Sequence, residues 1–527
     1  MDMKTIKTIE NATEKTLSSF AKLTLSLLFL LAVFLWTYSS HGKVPDNTFL
    51  IIGAIFGAYM ALNIGANDVA NNVGPAVGAR ALTLTGAIII AAIFESAGAI
   101  IAGGDVVNTI KSGIIDPSLI ADKNSFIWAM TAGLLAGAVW LNFATSIGAP
   151  VSTTHAIVGG VMGAGIASAG FSILNWGSLA EIASSWVISP LLGGIVAAGF
   201  LYFIKKQIVY KENMLEQAQK FVPYLIAVMT WAFSTYLILK GLKQLFNVSF
   251  LFASGISILF AIAAYFLTKQ HIDKNLSNLS NDRSSVNKLF TPALIFGAAL
   301  LSFAHGANDV SNAIGPLAAI NDAIVNGGGS INATVPLWIM VVGAIGIVIG
   351  LVLYGPRLIK TVGSEITELD QMRAFSVAMA TAVTVIVASQ MGLPVSSTHI
   401  AIGGVFGVGF LREALDMTEK NHFQDIREKF KKHKKELENL QKDLVKLEAI
   451  KDKSKAIYIK IVETFKAIDE IEAQVKQEKK DFKDAKGAKY VKRDAVKKIV
   501  AAWVITVPAS ALLAAGIYYM IKGIVAI

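Results

Sequence analysis

Two stretches of this chain occur twice, in the same order. GANDVANNVGP at 65 to 75 returns as GANDVSNAIGP at 306 to 316, and GAPVSTTHAIVGGVMGAG at 148 to 165 returns as GLPVSSTHIAIGGVFGVG at 392 to 409. A weaker third echo, SSWVISP at 184 to 190 and AAWVITVP at 501 to 508, keeps that order. Matched blocks in one order mean a duplicated unit. VVNTIKSGI (106 to 114) and LIKTVGSEI (358 to 366) extend it, pairing Thr109 with Thr361 and Ser112 with Ser364. Any fold for this sequence must therefore accommodate two copies of one set of polar blocks.

The medium around those blocks is apolar. Of the 527 residues 54% are hydrophobic and 16% charged, and runs near membrane-spanning length recur along the chain. A bilayer leaves the backbone no water to bond, so such runs must be helices, and the alternating pattern of a β-barrel is missing. The expected class is an all-α polytopic membrane protein with about 12 transmembrane helices, some of them broken or re-entrant. Most of the 44 glycines then serve close helix contact. The absence of cysteine excludes disulfides, thiolate metal sites and Cys nucleophiles. A net charge of +10 would suggest nucleic acid, but the lysines gather in loops and one polar segment, as membrane topology requires. SFAKLTLSLLFLLAVFLWTY (19 to 38) is too long for a signal-peptide core and has no small-residue cleavage site, so it reads as an uncleaved first helix.

Loop charge orients the copies. The N-terminus, the 205 to 220 loop, the 269 to 288 loop and the 412 to 497 segment are lysine-rich and expected on the cytoplasmic side of an inner (cell) membrane. Counting spans between them makes the copies inverted, provided each PVS(S/T)TH region re-enters from its own side. The division is an extra helix in 1–48, a first repeat in 49–204, loops and two linking helices in 205–289, the second repeat in 290–411 and a last helix in 497–527. Residues 412–496 differ in kind: Phe423, Ile426, Phe430, Leu437, Leu440, Leu444 and Leu447 recur among Lys and Glu, KDKSK interrupts, and Ile461, Phe465, Ile468 and Ile471 resume. This pattern describes a soluble, coiled-coil-like helical hairpin.

The polar residues within the apolar blocks carry the chemistry. Asp68 and Asp309 lie at membrane depth, where a carboxylate costs about 2.5 to 3.5 kcal/mol unless paired or hydrated. No Lys or Arg lies in either motif, so a hard cation held by Asn67, Asp68, Asn308, Asp309 and backbone carbonyls freed by the flanking glycines is the expected partner. Helix capping by the same residues is compatible with that role. Ser152, Thr153 and Thr154, and Ser396, Ser397 and Thr398, each follow a proline and precede an apolar Gly-rich stretch, which marks a helix start. Such a start offers N–H and hydroxyl donors to an anion without any Lys or Arg. His155 and His399 complete these blocks and are expected to hydrogen-bond between helices, the alternative being a role in proton coupling. Glu95, in AAIFESAGAI, aligns with Ile347 and so breaks the symmetry. It could hold a second cation, pair with Lys111 or take up a proton.

GANDVANNVGP with ALT (81 to 83), FESAGA, GLPVSSTH and GAPVSTTH together resemble the paired signatures of the PiT family of inorganic phosphate transporters. The resemblance covers about 49 to 204, 290 to 411 and the last helix, and its GAND form resembles the sodium-coupled branch. It implies a symporter that imports inorganic phosphate with sodium by alternating access, through an inverted-repeat core and without covalent chemistry. Phosphate would be held by Thr109, Ser112, Thr361, Ser364 and the two hydroxyl blocks, and sodium by Asn67, Asp68, Asn308, Asp309 and Glu95. No resident cofactor is implied. The expected partners are phosphate, sodium ions, the lipid bilayer and, as one option, a second copy in a homodimer. The chain departs from the family in carrying its polar insertion after PVSSTH rather than between the repeats, and in having no acid in AFSVAMATAVTVIV (374 to 387). The alternatives are a proton-coupled phosphate carrier or a carrier of another oxyanion such as sulfate. An intramembrane hydrolase would need one catalytic constellation, which duplication of every polar motif argues against, and a receptor would bind without net flux.

Overall fold

A computed structural model describes residues 3–44, 47–120, 122–147, 151–242, 248–276, 279–325, 335–365, 369–418, 420–450, 454–487 and 493–525. Side chains are described for these except at 3–18, 242, 357, 360–365, 416–427, 473, 477, 480–487 and 493–499. Among them, eleven helices are long and apolar enough to cross a membrane. The chain divides into two compact units, one formed by Met1–Val408 with Arg493–Ile527 and the other by Gly409–Lys492.

The first unit is helical throughout. An opening helix α1 (Met3–His41) precedes α2 (Asn47–Asn67), α3 (Val69–Gly78), α4 (Leu84–Ala102) and a short α5 (Gly104–Asn108) that runs into a π-turn at Thr109–Gly113. Then come α6 (Lys123–Ser146), α7 (Thr153–Ala169) and α8 (Trp176–Ile204). The linking helices are α9 (Met214–Leu242), α10 (Phe250–Asn275) and the short α11 (Arg283–Leu289). The second copy runs α12 (Thr291–Val325), α13 (Leu337–Glu365), α14 (Gln371–Gln390) and α15 (Ser397–Thr418), which passes into the other unit at Gly409, and closes with α18 (Arg493–Val525).

Glycine decides which helices meet. A Cβ on Gly65 would overlap the carbonyl of Ile347, and one on Gly306 would overlap that of Glu95, so α2 lies directly on α13 and α12 on α4. Gly159 meets the Val507 backbone and Gly403 that of Pro190, which seats α7 on α18 and α15 on α8. Each re-entrant helix thus packs on the closing helix of the other copy. In an apolar medium close backbone approach is the main source of helix association, and the repeated glycines supply it at equivalent places.

The GAND helices depart from the expectation that glycine and proline break them. In the first copy the interruption is confined to Asp68, whose N–H still bonds Ile64 O at 2.9 Å. In the second copy α12 runs unbroken from Thr291 to Val325, through Gly306 and Pro316. The glycines serve packing, and the backbone carbonyls stay in helical bonds except at Asn71 and Asn312, whose i+4 residues, Pro75 and Pro316, have no N–H to give. The interior helix starts are instead those of α7 and α15. Ser152 caps the first by accepting from His155 N–H at 3.1 Å, and Ser396 caps the second by accepting from His399 N–H at 3.3 Å.

The second unit contains α16 (Lys420–Glu448) and α17 (Lys455–Gly487). Leu437, Leu440, Leu444 and Leu447 form a half-buried row on α16. On α17 the inward row is Ile457, Ile461, Thr464, Ile468, Ile471 and Val475, a four-three alternation that places Thr464 inside. Phe465, counted with the apolar row, is 47% exposed.

Gly306→Ala should therefore destabilise the detergent-purified protein, by about 1 to 3 kcal/mol if the backbones must separate. Gly255→Ala, where an added Cβ meets nothing within 4 Å, should leave it unchanged or slightly more stable. Thermal unfolding of the two variants checks the difference; equal melting temperatures would remove the close-approach argument.

A duplicated candidate site for an ion and an anion

Equivalent residues of the two copies make equivalent bonds. Asn67 donates to Thr145 Oγ1 at 2.8 Å, and its counterpart Asn308 donates to Ser389 Oγ at 2.9 Å. Asn71 donates to Thr398 Oγ1 at 2.8 Å, while Asn312 donates to Thr153 Oγ1 and Thr154 Oγ1 at 3.1 and 3.2 Å. These last bonds cross between copies: each GAND helix holds the hydroxyl block of the other. Thr154 also donates to Val395 O at 2.9 Å, and Asn308 binds the second loop through Leu393 O at 3.1 Å and Val395 N–H at 3.3 Å.

The carboxylates sit one hydrogen bond from the hydroxyls. Thr398 donates to Asp68 Oδ1 at 3.2 Å and Ser397 to Asp309 Oδ2 at 3.0 Å. All six block hydroxyls are buried, as are Asp68 and Asp309. His305, one residue before the second GAND motif, places Nε2 2.8 Å from Asp309 Oδ2 and Nδ1 2.7 Å from Glu95 Oε2. The other Glu95 oxygen accepts from Asn72 Nδ2 at 2.7 Å. Asp68, His305 and Asp309 each offer one atom within 4.8 Å of the others, a spacing that can enclose a metal ion. Asp309 Oδ1, Asn72 Oδ1 and Asn312 Oδ1 are buried acceptors with no hydrogen-bond donor. Unpaired buried oxygens are costly in an apolar interior, and hard oxygen donors are what an alkali or alkaline-earth cation takes.

Not every expected residue joins this cluster. Thr109 donates to Gly392 O at 2.6 Å, beside the second loop, and Ser112 donates to Asn108 O on its own helix at 3.1 Å. The side chains of Thr361 and Ser364 lie outside the described residues. Lys111 pairs with Asp322 at 3.0 Å, so of the alternatives for Glu95 a Lys111 pair is replaced by the Asn72 and His305 contacts. His155 and His399 make no hydrogen bond through their rings, contrary to the expected bonding between helices. They pack edge-to-face at a centroid distance of 4.5 Å, with Trp186 3.9 Å from His155 and Trp503 3.6 Å from His399. The Trp503 carbonyl approaches His155 without meeting hydrogen-bond geometry.

Sequence reasoning missed His305, Thr145 and Ser389. Asn71 and Asn312 were visible as a repeated pair inside the motif. His305 had only its position before GAND to mark it, where the first copy carries Ile64.

A multi-helix membrane protein whose two copies meet at paired carboxylates and hydroxyl-rich helix starts belongs to the class of solute carriers rather than enzymes. Residues 64–514 match the phosphate transporter family, and the chain belongs to that family. It is 50% identical over 520 residues to a protein of Helicobacter pylori (strain J99) named "Putative phosphate permease", covering 98% of each chain. A protein of the same name from Haemophilus influenzae is 40% identical over 377 residues, 70% of this chain and 89% of that one. A solved structure described as "The sodium-dependent phosphate transporter" superposes with a TM-score of 0.72 at 30% identity, covering 90% of this chain and 99% of that one.

His305→Ala should destabilise strongly, by about 3 to 5 kcal/mol, because it leaves Glu95 and Asp309 buried without their shared partner. His155→Phe, which removes no hydrogen bond, should cost less than about 1.5 kcal/mol. Melting temperatures in one detergent compare them directly; a His155→Phe loss as large as that of His305→Ala would contradict the aromatic-packing account.

Proposed function

We propose that this chain imports inorganic phosphate together with sodium ions by alternating access. The observation that carries the reading is the single hydrogen bond separating each hydroxyl block from a carboxylate, Ser397 to Asp309 and Thr398 to Asp68. An anion seated on Ser152, Thr153, Thr154, Ser396, Ser397 and Thr398, at the starts of α7 and α15, meets neutral donors and helix N-termini. It also meets two carboxylates, which repel it. A cation held by Asp68 and Asp309, with oxygens of the neighbouring asparagines, removes that repulsion, and the anion in turn lowers the charge cost of the cation. Each ligand raises the affinity for the other, which is the thermodynamic condition for symport. Asn67 ties the end of α6 to this centre through Thr145, Asn308 holds the second loop, and Glu95 keeps His305 against Asp309.

Sodium fits the hard-oxygen donor set and agrees with the sodium dependence named for the superposed transporter. In the proposed topology the chain lies in the inner membrane with its N-terminus and the 412–496 hairpin cytoplasmic, and the copies are inverted so that both hydroxyl blocks face one midplane site. Thr109 supports the second loop in this scheme, and a homodimer is compatible with it.

Uptake of radiolabelled phosphate into proteoliposomes, with and without an inward sodium gradient, tests the proposal. Sodium-driven accumulation is expected, with little competition from sulfate. Sodium-independent uptake that collapses with the proton gradient would overturn the coupling, and no uptake under either gradient would overturn the substrate. Asp68→Asn should insert and fold but lose most of its sodium dependence; a product that fails to assemble would make Asp68 a structural residue.

A further inference from the structure

A cavity of about 550 Å³ lies between α1, α2, α6 and α13, beside the candidate site. Its polar lining consists of Ser26, Tyr59, Asn63, Asn142, Thr145 and Tyr354, with Ser146 at the edge. Among the described residues the lining carries no charged side chain. Thr145 connects it to the centre, since its hydroxyl accepts from Asn67 Nδ2 at 2.8 Å. Farther along, Asn142 donates to Asn63 Oδ1 at 3.3 Å, and Ser26 and Tyr354 share a hydrogen bond of 3.0 Å. Lys22 stands 6.0 Å from the centroid of the Tyr354 ring. Lys22 lies near the start of the apolar, membrane-spanning part of α1, Ser19–His41, where a lysine takes its ammonium to water, which makes this the mouth.

Resting on the symport reading above, we infer that this cavity is the water-filled route by which the coupling cation leaves the centre toward the cytoplasm, with the Asn63 and Asn142 pair as its narrowest gate. Two observations favour a cation over the anion, and a third gives the route one side. Inward of Lys22 at the mouth, the lining offers neutral oxygens, which serve a hard cation, and among the described residues no Lys, Arg or His to neutralise a phosphate. The C-terminal end of α6 contributes Asn142, Thr145 and Ser146, and the carbonyl end of a helix dipole attracts positive charge. The polar track also exists in one copy alone. The residues equivalent to Tyr59, Asn63 and Asn142 are Leu300, Ala304 and Ile386, all apolar. Leu300 and Ala304 are buried within the bundle. With inverted copies, that counterpart would have faced the opposite side of the membrane. A volume of this size, lined by several hydrogen-bonding groups, holds water rather than staying dry.

The helix α1 walls the cavity through Leu23, Leu27 and Leu30 and lies outside the span matched to the family, 64–514.

The native chain contains no cysteine, so single cysteines report without background. Asn63→Cys, Asn142→Cys and Tyr354→Cys would be reconstituted and exposed on either face to membrane-impermeant thiosulfonates, one cationic and one anionic. Lys211→Cys, in the exposed α8 to α9 loop, serves as the cytoplasmic reference. Modification from the face that labels the reference is expected, with a faster cationic than anionic reaction at position 63, slowing by sodium, and loss of most phosphate uptake afterwards. Labelling only from the opposite face, or none at any of the three positions, would overturn the route, and faster anionic labelling would make it a phosphate path. If Asn63→Cys fails to assemble, the other two positions decide between these results. Sodium-driven uptake by the unlabelled variants reports separately on symport, so loss of the route and loss of the coupling are distinguishable.

Discussion

Three carboxylates and one imidazole, Asp68, Glu95, Asp309 and His305, occupy the interior of a helix bundle made for an apolar medium. Charges there persist only with close partners, and the surrounding architecture provides them. The asparagines of each GAND helix reach across to the hydroxyls of the other copy, so the two re-entrant helices are held at the centre by the residues that flank the carboxylates. Fold and site are therefore not separable: removing the cross-copy bonds would release the helix starts that the anion reading requires.

The duplicated bonds are symmetric, but one chain of contacts is not. Asn72, Glu95 and His305 have Ala313, Ile347 and Ile64 as their counterparts, all apolar. In the structure these three singular residues form one connected series, Asn72 to Glu95 to His305 to Asp309. Its result is that Asp309 has an imidazole beside it in addition to the Ser397 hydroxyl, whereas Asp68 receives the Thr398 hydroxyl. Two acids that are identical by motif thus differ in environment.

Much of this was legible beforehand. The spans follow from hydropathy, because lipid permits few alternatives to a helix, and the repeat marks the GAND motifs and the hydroxyl blocks as two duplicated sets, but their bonding across copies is not in the pattern. Glu95 stood out as an unmatched acid, yet its partner could not be read, since the contact with His305 joins residues 210 positions apart. The same holds for Thr145 and Ser389, which look like ordinary helix-end hydroxyls until the loops fold back. The expected helix breaks misled for a different reason. Glycine next to Asn and Asp suggests a freed backbone, but between membrane helices glycine more strongly signals contact, and Gly65 and Gly306 touch the opposing backbone.

That correction changes how a cation can be held. If the GAND segments had unwound, their carbonyls would have served as ligands and the side chains could have been secondary. With α12 continuous and Asp68 still within a helical bond, those carbonyls are occupied, except Asn71 O and Asn312 O, which lack an i+4 donor because Pro75 and Pro316 carry no N–H. The other oxygens left over are on side chains, Asp309 Oδ1, Asn72 Oδ1 and Asn312 Oδ1, together with hydroxyls of the hairpin starts. Side-chain oxygens from two GAND helices and hydroxyls from two re-entrant helices come together only when all four elements are docked. On the proposed symport reading, ion binding would depend on the same packing that positions the anion donors, and the coupling between the two ligands would lie in the assembly of the site rather than in a separate element.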